Sequence, residues 1–130
     1  MSKETILIVE DNARNRKLLR DVLSHHGYQV LEANSGEEGL ALATAQRPQL
    51  VMMDIQLPGI DGVETLRRLR DNGGTRAIPV MAVTASVMGQ EVQRIHDAGF
   101  DDYLQKPVSL KDMLAAVERL LARTSSHSQL

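Results

Sequence analysis

Five short apolar segments alternate along the chain with longer stretches in which apolar residues recur every three or four positions. The first segment, Thr5–Val9, is continuous and rich in β-branched residues, which is typical of a strand buried on both faces. The last stretch begins after Ser109, and its apolar residues up to Leu121 mark one face of a helix. The pattern predicts strands at 5–9, 29–33, 50–53, 80–83 and 103–105, and helices at 12–26, 35–47, 63–72, 87–98 and 109–123.

This β-α alternation predicts an α/β fold built on a parallel sheet. Consecutive strands joined through helices run parallel, and right-handed crossovers place the helices over both faces of the sheet. The 130 residues correspond to about one domain at roughly 150 residues per domain. With 42% hydrophobic residues, the chain has enough apolar material for a buried core.

Composition removes several classes of function. The net charge of −2 excludes a strongly basic surface, so we expect no direct DNA binding. The absence of Cys excludes disulfides, thiolate zinc sites and Cys nucleophiles. No apolar run approaches the roughly 20 residues that span a bilayer, and no signal peptide precedes the first strand. We therefore expect a cytoplasmic protein with no membrane association.

Polar residues stand where four of the predicted strands end. Glu10 and Asp11 follow the first strand, and Asp54 follows the third. Thr84 and Lys106 follow the fourth and fifth strands. Because ligands of open parallel sheets bind beyond the carboxyl ends of the strands, the topology is expected to bring these five side chains to one rim.

Three carboxylates on one rim favour a bound cation. Like charges a few ångströms apart disfavour each other's ionisation, and a divalent cation removes that conflict. Oxygen-only ligands suit Mg²⁺, which also neutralises charge on a phosphoryl group in transfer. Lys106 and Thr84 are available for the other phosphoryl oxygens. The set predicts phosphoryl transfer onto a carboxylate, with an acyl phosphate as the product.

Each of these residues taken alone has an ordinary structural explanation. An Asp after a strand is commonly a helix cap or a turn residue, and Glu10 with Asp11 could cap the first helix. A Lys before Pro is usually solvated, and a Thr at a strand end usually caps. The functional interpretation depends on the conjunction of all five residues at the ends of four strands.

Four motifs resemble those of a response-regulator receiver domain of two-component signalling. They are ILIVEDN at 6–12, MDIQLPGIDG at 53–62, TA at 84–85 and KP at 106–107. The resemblance covers about residues 4–123, and its specificity comes from the combination and order of the motifs. It implies a flavodoxin-like (βα)5 fold, doubly wound, with five parallel strands in the order 2-1-3-4-5.

The resemblance also implies a role for each residue on the rim. Asp54 resembles the aspartate that accepts the phosphoryl group. Glu10 and Asp11 resemble the acidic pair that binds Mg²⁺, together with Asp54 and the backbone carbonyl of Gln56.

The remaining matches concern the phosphoryl contacts and the conformational switch. Thr84 and Lys106 resemble the pair that contacts the phosphoryl group. Tyr103 matches the switch aromatic that turns inward on phosphorylation, in concert with Thr84. The corresponding Lys-Pro bond of the family is commonly cis, so we expect a cis Lys106–Pro107 bond against a base rate near 5%.

A protein of this kind acts as a signalling switch rather than a conventional enzyme, with self-catalysed phosphotransfer and dephosphorylation. The phosphoryl donor is expected to be a histidine kinase or a histidine phosphotransfer protein. The downstream protein target is expected to bind the surface of the fourth helix, fifth strand and fifth helix. We expect a monomer or a weak dimer.

Subfamily features separate two forms of this hypothesis. The segment TASVMG at 84–89 resembles receivers of hybrid kinases and of stand-alone phosphorelay regulators. Val108 stands where receivers of winged-helix transcription factors often carry Phe. Residues 124–130 are expected to form a flexible tail, too short for an output domain. The chain is thus either a small intact regulator or a receiver excised from a hybrid kinase or larger regulator.

Two hypotheses from other classes are less well supported. A Mg²⁺-dependent phosphohydrolase that forms an aspartyl phosphate usually carries an Asp two residues after the nucleophile, where this chain has Gln56. A flavin-binding module needs a phosphate-cradling loop after the first strand, where Glu10 and Asp11 would repel phosphate. Within the receiver hypothesis, Gln56 and Ser86 are expected to flank the path of attacking water and to tune the loss of phosphate.

Overall fold

The computed structural model describes residues 4–85 and 89–128, along which strands and helices alternate. The strands are β1 (Thr5–Val9), β2 (Gln29–Ala33), β3 (Leu50–Asp54), β4 (Val80–Thr84) and β5 (Asp102–Gln105). The helices are α1 (Ala13–His25), α2 (Gly36–Gln46), α3 (Gly62–Asp71), α4 (Gly89–Ala98) and α5 (Leu110–Ser128).

The strands form one parallel sheet in the order β2-β1-β3-β4-β5, which confirms the predicted doubly wound fold. The register places Val9 beside Met53 and Asp54 beside Val83. It also places Thr84 beside Gln105. The carboxyl ends of the four strands β1, β3, β4 and β5 therefore lie along one edge of the sheet.

The core consists of two apolar layers, one on each face of the sheet. Alternate residues of a strand point to opposite faces, so Ile8 belongs to one layer and Val9 to the other. Helices α1 and α5 cover the Ile8 layer, whereas α2, α3 and α4 cover the Val9 layer. Because both layers are filled, the central strands β1, β3 and β4 are almost entirely apolar, and the polar residues at or after their ends stand out.

Side-chain caps set the beginnings of α1 and α2. Asn12 accepts a hydrogen bond from the Asn15 N–H at the start of α1. Ser35 accepts from the Glu38 N–H at 3.1 Å, which is the first hydrogen bond of a capping box. The Glu38 carboxylate reaches back to the N–H of Asn34 rather than to that of Ser35.

The structure differs from the prediction at the end of α5 and does not describe the predicted start of α4. Helix α5 continues to Ser128, past the predicted end near residue 123 and into the segment predicted to be a flexible tail. The apolar stripe stops at Leu121, but no Gly or Pro follows to end the helix. The predicted start of α4 falls on residues 86–88, outside the described residues. No described helix has the length and apolar character needed to cross a membrane.

Candidate functional site

An acidic cluster lies at the carboxyl edge of the sheet. Glu10 directly follows β1, and its N–H donates to the carbonyl oxygen of Ala33 at 3.0 Å. Asp54 is the last residue of β3, and the Ile55 N–H that follows donates to the Val83 carbonyl oxygen. Glu10, Asp11 and Asp54 each offer a carboxylate oxygen, and these oxygens lie within 4.8 Å of one another.

The three carboxylates differ in their exposure to solvent. Glu10 is 3% exposed and Asp54 is 5% exposed, whereas Asp11 lies at the surface. The buried carboxylates therefore depend on nearby donors for stabilisation. One oxygen of Asp54 accepts from the Gln56 N–H at 3.0 Å, and one oxygen of Glu10 accepts from the Asn12 N–H at 3.1 Å.

Lys106 joins the two buried carboxylates. Its Nζ lies 2.7 Å from Asp54 Oδ2 and 3.1 Å from Glu10 Oε1. Its backbone N–H donates to the Thr84 carbonyl oxygen at 2.7 Å, which ties the end of β5 to the end of β4. The Lys106–Pro107 bond is cis, which confirms that prediction.

The electrostatics of the cluster favour cations. Burial raises the pKa of the Glu10 carboxyl, and the nearby charge of Asp54 adds to that rise. Hydrogen bonds from Asn12 and Lys106 oppose it without cancelling it. Burial acts to lower the pKa of Lys106, but the hydrogen bonds and charges of Asp54 and Glu10 outweigh burial and raise it. Lys106 is therefore held as a cation beside Glu10, whose ionised form is disfavoured by burial.

The two predicted switch residues lie on the same face of the sheet. Thr84 is the last residue of β4 and is 3% exposed. Tyr103 in β5 pairs with Ala82, two residues before Thr84, so strand alternation places both side chains on the face that α4 covers. Tyr103 is 39% exposed and lies on the edge strand.

The structure brings together the predicted residues Glu10, Asp11, Asp54 and Lys106. Thr84 lies at the adjacent strand end, and the exposed Gln56 follows Asp54 in the loop that donates to it. Ser86 lies outside the described residues.

Sequence reasoning missed one residue at the edge of the cluster. Arg16 in α1 donates from Nη1 to the backbone carbonyl oxygen of Glu10 at 2.8 Å. Its signal in the sequence is a basic residue near the beginning of a helix that has no acidic residue in its first turn, where the helix dipole disfavours positive charge.

The first residue of α3, Gly62, lies so close to the backbone of Asp54 and Ile55 that no side chain fits there. A Cβ at Gly62 would lie 2.6 Å from the Asp54 carbonyl oxygen and 2.9 Å from the Ile55 Cα. Both contacts are with backbone atoms, which cannot rotate away. We expect Gly62→Ala to lower the free energy of unfolding by about 1–3 kcal/mol in a urea titration, as overpacking does.

Gly73 is the matched control for this substitution. A Cβ at Gly73 meets no atom within 4 Å. We expect Gly73→Ala to change the free energy of unfolding by less than about 1 kcal/mol. Equal stability of the Gly62→Ala and Gly73→Ala variants would show that the close approach to Asp54 has no energetic importance.

Comparisons with known proteins agree on one family. The family model described as the response regulator receiver domain matches residues 6–118. The polar-differentiation response regulator DivK of Brucella anthropi is 40% identical over 118 residues, which cover 91% of this chain and 96% of that protein. DivK of Brucella ovis shows the same identity and coverage.

Solved structures support the same assignment. A putative response regulator from Chloroflexus aurantiacus is 34% identical with a TM-score of 0.89, covering 93% of this chain and 99% of that one. The receiver domain of the sensor histidine kinase PA1611 from Pseudomonas aeruginosa is 30% identical with a TM-score of 0.86 and the same coverage. The latter structure is described as having a magnesium ion coordinated in its active-site cleft.

An open parallel α/β sheet with an acidic cluster and a lysine at its carboxyl edge is the architecture of a receiver domain. The chain belongs to the response regulator receiver family of two-component signalling. The carboxylate oxygens of Glu10, Asp11 and Asp54 fit Mg²⁺, the ion that receiver domains bind at their acidic site. The three clustered oxygens are hard ligands of the kind that Mg²⁺ prefers.

Proposed function

We propose that the protein is a signalling switch that accepts a phosphoryl group on Asp54 in the presence of Mg²⁺ and signals through changed protein–protein binding. The observation that carries this proposal is the bonding of Lys106 Nζ to both Asp54 and Glu10, with Asp11 completing the acidic cluster. These four side chains come from the ends of three strands, and a purely structural ion pair would not need the exposed third carboxylate.

The proposed reaction is transfer from a phosphohistidine to a carboxylate. A carboxylate oxygen of Asp54 attacks phosphorus, the phosphorus–nitrogen bond of the donor breaks, and the imidazole nitrogen takes the electron pair. Lys106 Nζ already contacts Asp54 Oδ2, so we assign it to one phosphoryl oxygen, and we assign another to the hydroxyl of Thr84 at the end of the adjacent strand.

The metal is assigned to the acidic cluster. Glu10, Asp11 and Asp54 would hold Mg²⁺, together with the backbone carbonyl of Gln56. Bound Mg²⁺ would supply neutralisation of charge on the phosphoryl oxygens during transfer. Without that neutralisation, the negative cluster would repel the incoming phosphoryl group.

The donor is proposed to approach from the side of α1. A cleft of about 400 Å³ opens beside Glu10 and Lys106, between α1 and the beginning of α5. Leu18 lines this cleft and is 52% exposed. A mostly apolar cleft lined by Lys106, which contacts Asp54, suits a histidine kinase or a histidine phosphotransfer protein, because that partner must bring its histidine close to Asp54.

Exposure to acetyl phosphate tests the proposed function. We expect intact-mass spectrometry to find one added phosphoryl group when Mg²⁺ is present and none when a chelator is in excess. Treatment with hydroxylamine should remove the group, because hydroxylamine cleaves acyl phosphates and leaves phosphate esters intact. A protein that stays unmodified, or that carries a hydroxylamine-resistant phosphate, would contradict the proposal.

Signal output is proposed to pass from Thr84 to Tyr103. A phosphoryl group adds about −1.5 to −2 charge and three acceptor oxygens, which draw the Thr84 hydroxyl toward Asp54. The ring of Tyr103 then turns inward from its half-exposed position on the same face. The surface formed by α4, β5 and α5 changes, and phosphorylation shifts the population toward the partner-binding form.

Thr84→Ala and Tyr103→Ala separate output from chemistry. We expect both variants to accept phosphate on Asp54 but to lose most of the phosphate dependence of partner binding, measured against partners captured by the phosphorylated wild type. Tyr103→Ala should leave Mg²⁺ affinity unchanged, because Tyr103 lies on the edge strand away from the acidic cluster. Wild-type phosphate dependence in both variants would exclude this coupling.

A further inference from the structure

Arg16 holds the peptide on which the acidic cluster is built. Its Nη1 donates to the Glu10 carbonyl oxygen at 2.8 Å, and the Glu10 N–H donates to the Ala33 carbonyl oxygen at 3.0 Å. The peptide unit that contains the Glu10 carbonyl also contains the N–H of Asp11. Glu10 is thus anchored at both ends, and its contact with Arg16 fixes the plane from which the Asp11 residue projects.

The guanidinium of Arg16 is itself held in place. Its Nε donates to Glu32 Oε1 at 3.2 Å, and the other oxygen of Glu32 accepts from Arg20 Nη1 at 3.1 Å. The Arg16 side chain is only 20% exposed, although it carries a full charge. A planar guanidinium with two of its donors engaged in fixed directions is well suited to orienting a backbone carbonyl.

Local helix preferences do not explain an arginine at this position. Helix α1 begins at Ala13, and a cation near a helix N-terminus is disfavoured by the dipole. Arg14 breaks the same preference but is exposed, whereas Arg16 is largely buried and makes tertiary contacts. The tertiary contacts of Arg16 lead to the carbonyl of Glu10 and to Glu32.

We infer that Arg16 is a positioning residue for the metal site, which sets the affinity for Mg²⁺ by fixing the Glu10–Asp11 peptide. The inference rests on the proposed function, because it takes the acidic cluster as the place where Mg²⁺ binds. Asp11 is exposed, so its direction depends on its backbone rather than on packing. Mg²⁺ demands near-octahedral ligands at short distances, and a loosened peptide meets that demand less often.

Positioning and simple electrostatics predict opposite signs. Removing the positive charge of Arg16 would reduce its Coulomb repulsion of a cation and so tighten the binding of Mg²⁺. Releasing the Glu10 carbonyl from its hydrogen bond would instead weaken the binding of Mg²⁺. The positioning effect is expected to dominate, because Glu32 already compensates the charge of Arg16.

Two substitutions of Arg16 and one control test the inference. Arg16→Met removes the charge and the fork of donors, Arg16→Lys keeps the charge, and Arg14→Met removes an exposed charge from the same helix. Mg²⁺ titrations of the full chain, followed by amide NMR shifts without a phosphodonor, measure Kd. Urea unfolding without Mg²⁺ measures stability separately.

We expect Kd for Mg²⁺ to rise about tenfold in both Arg16 variants, at the low end of the range for residues that support metal ligands. Arg14→Met should leave Kd unchanged. Arg16→Lys keeps the charge but loses the fork of donors, and it carries the test should Arg16→Met fail to fold. A rise in Kd without a matching loss of stability separates positioning from general destabilisation.

An Arg16→Met variant that binds Mg²⁺ as tightly as the wild type, or more tightly, would overturn the inference. So would an Arg14→Met variant with the same rise in Kd. If the wild type binds Mg²⁺ and accepts phosphate while the Arg16 variants have the wild-type Kd for Mg²⁺, the role of Arg16 is wrong and the proposed function is retained. Failure of the wild type to bind Mg²⁺ would defeat both.

Discussion

Asp54→Asn is expected to abolish acid-stable, hydroxylamine-sensitive labelling by acetyl phosphate and by any phosphohistidine donor. The amide keeps the size of the side chain but is a poor nucleophile and cannot form an acyl phosphate. The other rim residues remain, yet none of them replaces a carboxylate that ends β3 and contacts Lys106 Nζ at 2.7 Å. The expected result is loss of labelling to background in intact-mass spectrometry.

Asp71→Asn is the control for the Asp54 substitution. Asp71 ends α3, is exposed, and pairs with Arg67 on the helix surface. Its replacement removes the same charge from the chain without touching the rim, so labelling should match that of the wild type. Labelling of Asp54→Asn at the wild-type rate would show that the acceptor is another residue.

Glu10→Gln combined with Asp11→Asn is expected to remove the dependence of phosphorylation on Mg²⁺ together with most of the phosphorylation itself. Loss of a residue that merely supports a metal ligand costs about 10- to 100-fold in affinity, so loss of two direct ligands should exceed that range. The reduced negative charge does not compensate, because Lys106 alone cannot neutralise the phosphoryl oxygens as a divalent ion would.

The measurement is the rate of labelling against Mg²⁺ concentration. A control variant, Asp112→Asn with Glu118→Gln, removes two exposed carboxylates of α5 and should keep the wild-type dependence on Mg²⁺. Burial raises the pKa of Glu10, so the fold disfavours the ionised form of this carboxyl, and Asp11 is exposed. The double variant of Glu10 and Asp11 should therefore remain folded, and urea unfolding without Mg²⁺ checks this. Wild-type rates with an excess of chelator would contradict a role for the metal.

The hydrophobic pattern was sufficient for the strands, the helices and the class of fold, whereas the order of the strands in the sheet came from the family resemblance. A continuous apolar run such as 50–53 is typical of a strand buried on both faces of a parallel sheet, and the polar Asp54 that follows it marks the rim. Because strand alternation and helix spacing are local properties, the elements and the edge at which Glu10, Asp54 and Lys106 gather could be predicted. The roles of those residues came from motif resemblance and remain proposals.

Other features followed from long-range contacts that no local pattern encodes. Lys106 bonds to Asp54 across 52 positions of sequence, at a distance decided by the register of three strands. The contact between Arg16 and the Glu10 carbonyl requires α1 to pack at one angle on the sheet. The close approach of Gly62 to Asp54 likewise depends on how α3 is seated.

The class of fold, the succession of strands and helices along the chain and the chemistry of the residues at the strand ends could thus be read from the amino-acid sequence. Which of their atoms meet, which carboxylates are buried and which residues hold them in place became known only from the three-dimensional packing. The physical reason is that periodicity specifies which face of an element is buried, whereas distances between side chains depend on the packing of several elements at once.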